Sequence, residues 1–320
     1  MLILFLQEIL FLLIQHTATR EAYGKTLAAL AKENKNIIVL DADLSGSTKT
    51  KEVKAVAPEQ HYNMGIAEGN MMAVAAGLAA SGNIVFASSF AMFATGRAFE
   101  QIRNSIGYPH LNVKVCASHA GLTVGEDGAS HQSIEDISLM RGIPGMTVIC
   151  PADAVETDKV IRAVAEIDGP CYVRLGRSAV ETVYSEDMAF EVGKGNVLRQ
   201  GKKVAIIACG IMVEAALQAY DELKEKGYEP TVVDMHTIKP IDKDLLVELA
   251  KSHDLFVTCE EHSVIGGLGS TVAETLSQYA PTKIKMVGVQ DTFGESGTPA
   301  GLLEKYGLTS KDIVKAVIEE

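Results

Sequence analysis

Several features that would commit a chain of 320 residues to a class are missing here. The five cysteines, Cys116, Cys150, Cys171, Cys209 and Cys259, stand alone, with no CxxC and no Cys/His ligand spacing. That excludes a disulfide framework and a zinc site, and it points to reduced, buried thiols in a cytoplasmic protein. Basic charge is not in excess: the formal net charge is -12. A nucleic-acid partner normally demands a basic face, so none is expected, although a few local arginines can still hold a small anion. No apolar run approaches the roughly 20 residues needed to cross a bilayer, and no membrane partner is expected. Internal repeats and low-complexity tracts are also lacking. The glycine-rich stretch Gly266-Gly267-Leu268-Gly269-Ser270 misses the GxGxxG spacing of a dinucleotide loop, which leaves close helix packing as its role.

What is present is ordinary globular chemistry, with 47% apolar and 22% charged residues. The length allows two domains, each with its own core. Residues 1–16 stand apart as an apolar N-terminal extension, broken by Gln7 and Glu8. This segment is too short to span a membrane comfortably and lacks the basic start and cleavage site of a signal peptide. It reads as an extension outside the fold. From Thr17 onward helix-period and β-rich runs alternate. Strands are predicted over 36–40, 83–88, 111–117, 146–150 and 171–175. Helices are predicted over 22–33, 71–80, 95–106, 134–141 and 155–167. Such alternation implies a parallel sheet with helices on both faces. The texture loosens near residue 190, and a second α/β series begins at Val204 and closes with a helix from Ser310. Two α/β domains, 17–188 and 189–320, result.

Two short stretches concentrate the candidate chemistry. The first is Gly65-Ile66-Ala67-Glu68-Gly69-Asn70, a carboxylate at the start of a small-residue helix. Glu68 there favours the positive end of the helix dipole, while the small residues behind it let a flat ligand or a second helix come close. The second stretch is Gly125-Glu126-Asp127-Gly128-Ala129-Ser130-His131-Gln132, a loop that carries Asp127 and His131, with His119 just before it. The two histidines with Asp127 between them fit no common zinc spacing. Phe90 and Phe93 fall at a strand end, where aromatics usually pack a core. Arg20, Ser47 and Arg177 are ordinary residues singly, with Arg174 near enough to compete with Arg177. The acids of Asp41-Ala42-Asp43 follow a strand and suit a turn.

Taken together, these stretches resemble the transketolase family of thiamine-diphosphate enzymes, over almost the whole chain after residue 17. The resemblance implies a pyrimidine-binding fold with a mostly parallel sheet, followed by a smaller transketolase C-terminal α/β domain. By the same resemblance Glu68 bonds N1′ of the cofactor's aminopyrimidine and takes part in a proton relay. Phe90 and Phe93 line the pyrimidine, with Gly96 where an aromatic is common, and Asp43 lies near the cofactor at a subunit interface. His131 faces the reacting carbonyl, Asp127 selects a substrate hydroxyl, and Arg20, Ser47, His119 and Arg177 hold the substrate phosphate. Arg suits that task because its fork bonds phosphate oxygens in pairs.

The family's Gly-Asp-Gly motif with a distant Asn, which holds the diphosphate and its metal, is not found in this chain. The resemblance therefore implies half of an active site. Its complement is an N-terminal subunit that carries the diphosphate-binding domain and the ligands for Mg2+ or Ca2+, in a dimer of heterodimers. The implied reaction moves a two-carbon ketol unit between sugar phosphates. The β-subunit of a 2-oxoacid dehydrogenase shares the layout and a similar Gly-Ile-Ala-Glu run. A deoxyxylulose-phosphate synthase-like subunit shares the Asp and the later His. A non-catalytic regulatory partner and a Rossmann-type nucleotide binder complete the alternatives, and fold alone does not separate them.

Overall fold

The computed structural model describes residues 16–319, so all of the N-terminal extension but His16 lies outside the described residues. Among these residues, no helix is long and apolar enough to cross a membrane. Three sheets form. The largest has seven strands in the order Thr237–Lys239, Thr147–Ile149, Cys171–Arg174, Val113–Ala117, Ile84–Ser88, Ile37–Asp41, His61–Asn63. All its pairings are parallel except that of Thr237–Lys239 with Thr147–Ile149. The second sheet runs Lys283–Val289, His253–Ser263, Lys203–Ala208, Thr231–Asp234, Asn196–Arg199, again parallel but for the last strand. A small antiparallel pair, His16–Ala18 with Ala179–Glu181, clips the start of the first unit to its end.

Central strands such as Val113–Ala117 are buried along their whole length, as a parallel sheet covered on both faces requires. The helices are set by local chemistry. Asp153 caps Ala154–Glu166 by accepting from Glu156 N at 2.7 Å, and Thr309 with Asp312 forms a capping box on Ser310–Ile318. The predicted helix over 95–106 is broken. It is replaced by wide-pitched turns Met92–Arg97 and Ile102–Gly107 around the short helix Phe99–Gln101. Wide turns of this kind hold one extra residue and tend to occur near functional sites. The helix predicted over 71–80 starts earlier, at Glu68.

The two units also share a core. One apolar cluster runs continuously from Leu40, Met71 and Val115 of the first unit into Ile207, Met235 and Phe256 of the second. Strand Thr237–Lys239, which follows the second unit's Thr231–Asp234, leaves that unit to become the edge of the first sheet. Residues far along the chain therefore complete the first sheet. All five cysteines are buried and unbridged.

The junction also contains a pair of acids. Glu156 and Asp234 are buried side by side, and Tyr184 OH donates to Asp234 Oδ2 at 2.8 Å. Glu156 Oε1 and Asp234 Oδ1 have no donor among the described residues. One proton shared between the two carboxyls satisfies both oxygens. Burial raises the Asp234 carboxyl to about 7, and burial together with the Asp234 charge pushes Glu156 upward. A carboxyl raised in this way contributes most below its unfolded value near 4, and its contribution is lost as pH rises through its folded value. Wild-type melting temperature should thus fall between pH 4 and pH 7 more than that of Asp234→Asn, whose amide mimics the protonated acid. Calorimetric scans across that window check this, and parallel curves would remove the shared proton.

Candidate active site

The candidate residues gather where the parallel strands end, at the carboxyl edge that α/β sheets use for ligands. Asp43 follows Ile37–Asp41, Phe90 follows Ile84–Ser88, His119 follows Val113–Ala117, and Arg177 follows Cys171–Arg174. Chain topology therefore delivers residues far apart in sequence to one edge. An isolated bridge between Phe90 and Ser118 continues the pairing beyond the strands and sets Phe90 beside His119.

Glu68 opens the helix Glu68–Ala80 after a turn in which Gly65 takes φ +72°. Its side chain is 2% exposed, and Oε2 accepts from Arg97 Nη1 at 2.8 Å. Oε1 accepts no hydrogen bond among the described residues. The guanidinium of Arg97 lies 4.8 Å from the centre of the Phe93 ring. Phe93 stacks with Phe90 at 5.9 Å and 15°, Phe90 stacks with His119 at 3.8 Å and 21°, and His131 meets Phe93 edge-on at 5.2 Å. Two phenyl rings and two imidazoles thus form one continuous aromatic wall next to a buried carboxylate.

A group of cations borders the other end of that wall. Arg20 donates Nη1 to Ser47 O at 2.9 Å, while its buried Nε has no partner among the described residues. Burial lowers the pKa of Arg20, and the charge of Arg177 adds to this. His119 is pushed down to about 3 by burial, with Arg20, Arg177, His131 and Lys49 adding positive field, so it is neutral at pH 7. Arg177 donates Nη1 to Val124 O and pairs with Glu126 Oε2 at 3.0 Å, and Lys49 pairs with Glu21 at 3.3 Å. Arg174 is occupied elsewhere: its Nε donates to Asp136 Oδ2 at 2.8 Å and its Nη2 to Glu261 O at 2.9 Å. Of the two arginines, only Arg177 faces the cationic group.

The loop bearing Asp127 and His131 is shaped by glycines and braced by the second domain. Gly121, Gly125 and Gly128 all take positive φ. Thr123 N donates to Glu261 Oε1 at 2.5 Å, and Gln132 Nε2 donates to Leu122 O, Gly125 O and Glu295 O at 3.1, 3.2 and 2.9 Å. Within this chain His119 is buried, His131 half-buried and Asp127 exposed. Asp43, also exposed, has φ +62° and exchanges hydrogen bonds with Asn63 at 3.1 and 3.2 Å. Asp41 differs from its neighbour. It is buried and accepts from His61, Ser45 and Thr50 at 2.6, 2.6 and 2.8 Å, a structural network in which burial raises its pKa and these bonds bring it below the usual range. No group of three or more His, Cys, Asp or Glu among the described residues is arranged for a metal.

Sequence reasoning missed Arg97 and Lys49. Arg97 lies four residues after Phe93, a spacing that brings side chains together on a helix and could have signalled it. Lys49 had no such signal, because only the fold brings it near His119. Glu260 accepts from Leu268 N and Gly269 N at 2.7 and 2.8 Å, so the start of helix Leu268–Tyr279 is occupied by the chain's own carboxylate.

Comparison with known proteins gives the family of the chain. The Transketolase, pyrimidine binding domain family matches residues 15–182, and the Transketolase, C-terminal domain family matches residues 193–313. The chain belongs to the transketolase family. It is 52% identical over 304 residues to a Methanocaldococcus jannaschii protein described as a transketolase C-terminal section, covering 94% of this chain and 95% of that one. It is 42% identical to the 6-deoxy-6-sulfo-D-fructose transketolase subunit of a Clostridium species, covering 94% and 93% respectively. Among solved structures it is similar to one described as a split-gene transketolase, inactive β4 tetramer. That match has 58% identity and a TM-score of 0.88, and it covers 94% of this chain and 97% of that one. A transketolase from Campylobacter jejuni shares the fold at TM-score 0.81 and 24% identity, with 47% of its chain covered. The chain is a transketolase-type enzyme subunit.

The bracing of the loop is testable at Gly121. Its φ of +81° with ψ of -170° suits glycine alone, and an added Cβ would collide with the Glu261 carboxylate. Gly121→Ala should lose about 1–3 kcal/mol by chemical denaturation. Gly77→Ala, facing open space on an exposed helix surface, should be neutral or stabilising.

Proposed function

We propose that this chain is the catalytic C-terminal subunit of a split, thiamine-diphosphate-dependent transketolase that moves a two-carbon ketol group between sugar phosphates. The observation that carries the reading is the single edge on which a buried carboxylate, an aromatic wall and an incompletely paired cationic group lie together. The residues fit an aminopyrimidine. Glu68 keeps one oxygen uncommitted, and Phe90 and Phe93 form a flat aromatic wall beside it. When bound, thiamine diphosphate supplies the electron sink that lets a ketose bond next to the carbonyl break.

This chain's own residues then have separate tasks. Glu68 holds a proton at the pyrimidine nitrogen, and Asp43 supports the cofactor side at the subunit interface. His131 faces the reacting carbonyl, neutral His119 contacts substrate without adding charge, and Asp127 reads a hydroxyl. Arg20, Ser47 and Arg177 bind the phosphate. The diphosphate and its Mg2+ or Ca2+ are assigned to an N-terminal partner subunit, in a dimer of heterodimers working in the cytoplasm. Names among the relatives support a divided enzyme: a Phocaeicola vulgatus protein, 37% identical, is one of the subunits of an apulose-4-phosphate transketolase. The residues 17–188 and 189–320 form its pyrimidine-binding and C-terminal domains.

Two outcomes test the reading. Purified alone, the chain should bind thiamine diphosphate weakly and show no ketol transfer, and the partner should restore both; robust turnover by the single chain would rule the division out. In the reconstituted complex, Arg177→Ala should raise the apparent KM for a phosphorylated acceptor by roughly 10- to 150-fold, the value of a charge-assisted contact. Glycolaldehyde, which has no phosphate, should be affected far less. Equal losses with both acceptors would remove the phosphate role.

A further inference from the structure

The carboxylate assigned to the pyrimidine is not alone. Glu68 is 2% exposed, and a carboxylate at that depth needs a partner. Its partner is Arg97, which contacts Oε2 alone, at 2.8 Å, and whose own side chain is 53% exposed. The same guanidinium lies over the face of Phe93 at 4.8 Å. One cation therefore touches both the acid and the ring that frame the proposed pyrimidine position.

The backbone explains how it reaches there. Arg97 closes the wide turn Met92–Arg97, and the space where a Gly96 side chain would project is taken by the Met92 methyl. The extra residue in that turn leaves Arg97, and not its neighbour, directed to the helix start at Glu68. Where an aromatic at position 96 would form a wall, this chain has a folded methionine and an arginine clamp. A surface ion pair would be worth little, but here one end is buried, and its loss leaves an uncompensated carboxylate.

We propose that Arg97 is a positioning residue for the proton relay: it pins Glu68 Oε2 and flanks the Phe93 ring, so that Oε1 is presented to the cofactor's aminopyrimidine. The role rests on the function proposed above and adds a specific geometric demand to it. Arg97 acts through Glu68, so removing it after Glu68 has been altered should change nothing further.

The test uses the reconstituted complex with thiamine diphosphate. Two quantities are read without any sugar substrate: the cofactor dissociation constant by calorimetry, and exchange of the cofactor's C2 proton by quenched-flow NMR. Arg97→Met is expected to slow exchange about 10- to 100-fold, in line with a lost charge-assisted bond, while the dissociation constant changes far less. Arg97→Lys, which keeps a charge and a donor, should recover most of the rate. Adding Arg97→Met to Glu68→Gln should produce no further loss. Wild-type exchange in Arg97→Met, or an undiminished additional loss in the Glu68→Gln background, overturns the positioning role. A wild-type complex that takes up no cofactor overturns this role and the proposed function together. A wild-type complex that exchanges normally but transfers no ketol unit overturns the proposed function alone, and the variant rates still decide Arg97.

Discussion

Arg174 is the tie on which the rest of this chain depends. It ends a central strand of the first sheet, is 6% exposed, and spreads its donors over Asp136 Oδ2, Ser133 O and Glu261 O. Asp136 Oδ2 also accepts from Tyr172 OH at 2.6 Å, while its buried Oδ1 has no donor among the described residues. Nearby Asp136 outweighs the burial of Arg174 and holds the guanidinium charged, while Arg174 in turn keeps Asp136 ionised despite its burial. Removing one member of such a buried pair costs about 3–5 kcal/mol, because the other charge is left without compensation. The same bonds fix Ser133 at the end of the Asp127–His131 loop and Glu261 behind its start. Substrate-facing chemistry is thus positioned by a charge that never meets substrate.

This arrangement gives the second domain a physical task. It carries none of the candidate catalytic residues. Even so, Glu261 accepts from Thr123 N, Glu295 O receives Gln132, and Ser296 lies against Gly128. The glycines of the loop supply a backbone path that other residues would resist, and the second domain holds that path in place.

Much of the fold was legible because parallel α/β sheets announce themselves by alternation, and the strands over 83–88, 111–117 and 171–175 follow from their apolar runs. The strand Thr237–Lys239 was not legible, because its partner in the sheet is defined by tertiary contact and not by pattern. Helix prediction over 95–106 failed for a related reason: the apolar spacing is helical, but the packing of Met92 against Gly96 widens the turn. In the site, Glu68 and the 125–132 loop stood out through motif. The cationic neighbourhood did not, since Arg20, Lys49 and Arg177 converge only when strand ends meet. Arg174 competed with Arg177 for the phosphate role until burial separated the structural cation from the half-buried one.

The crossing of Thr237–Lys239 into the first sheet makes the two domains unsuitable as interchangeable parts. A fragment ending near residue 190 would keep every residue assigned to cofactor and substrate, yet its Thr147–Ile149 strand would lose its neighbour. A bare strand edge in a parallel sheet is a template for pairing with other chains. The shared core would lose Met235 and Phe256 at the same stroke and leave apolar surface behind. Recombination between relatives at the linker would graft a foreign edge strand as well as a foreign domain. Successful chimeras should therefore carry 237–239 along with the sheet that it completes.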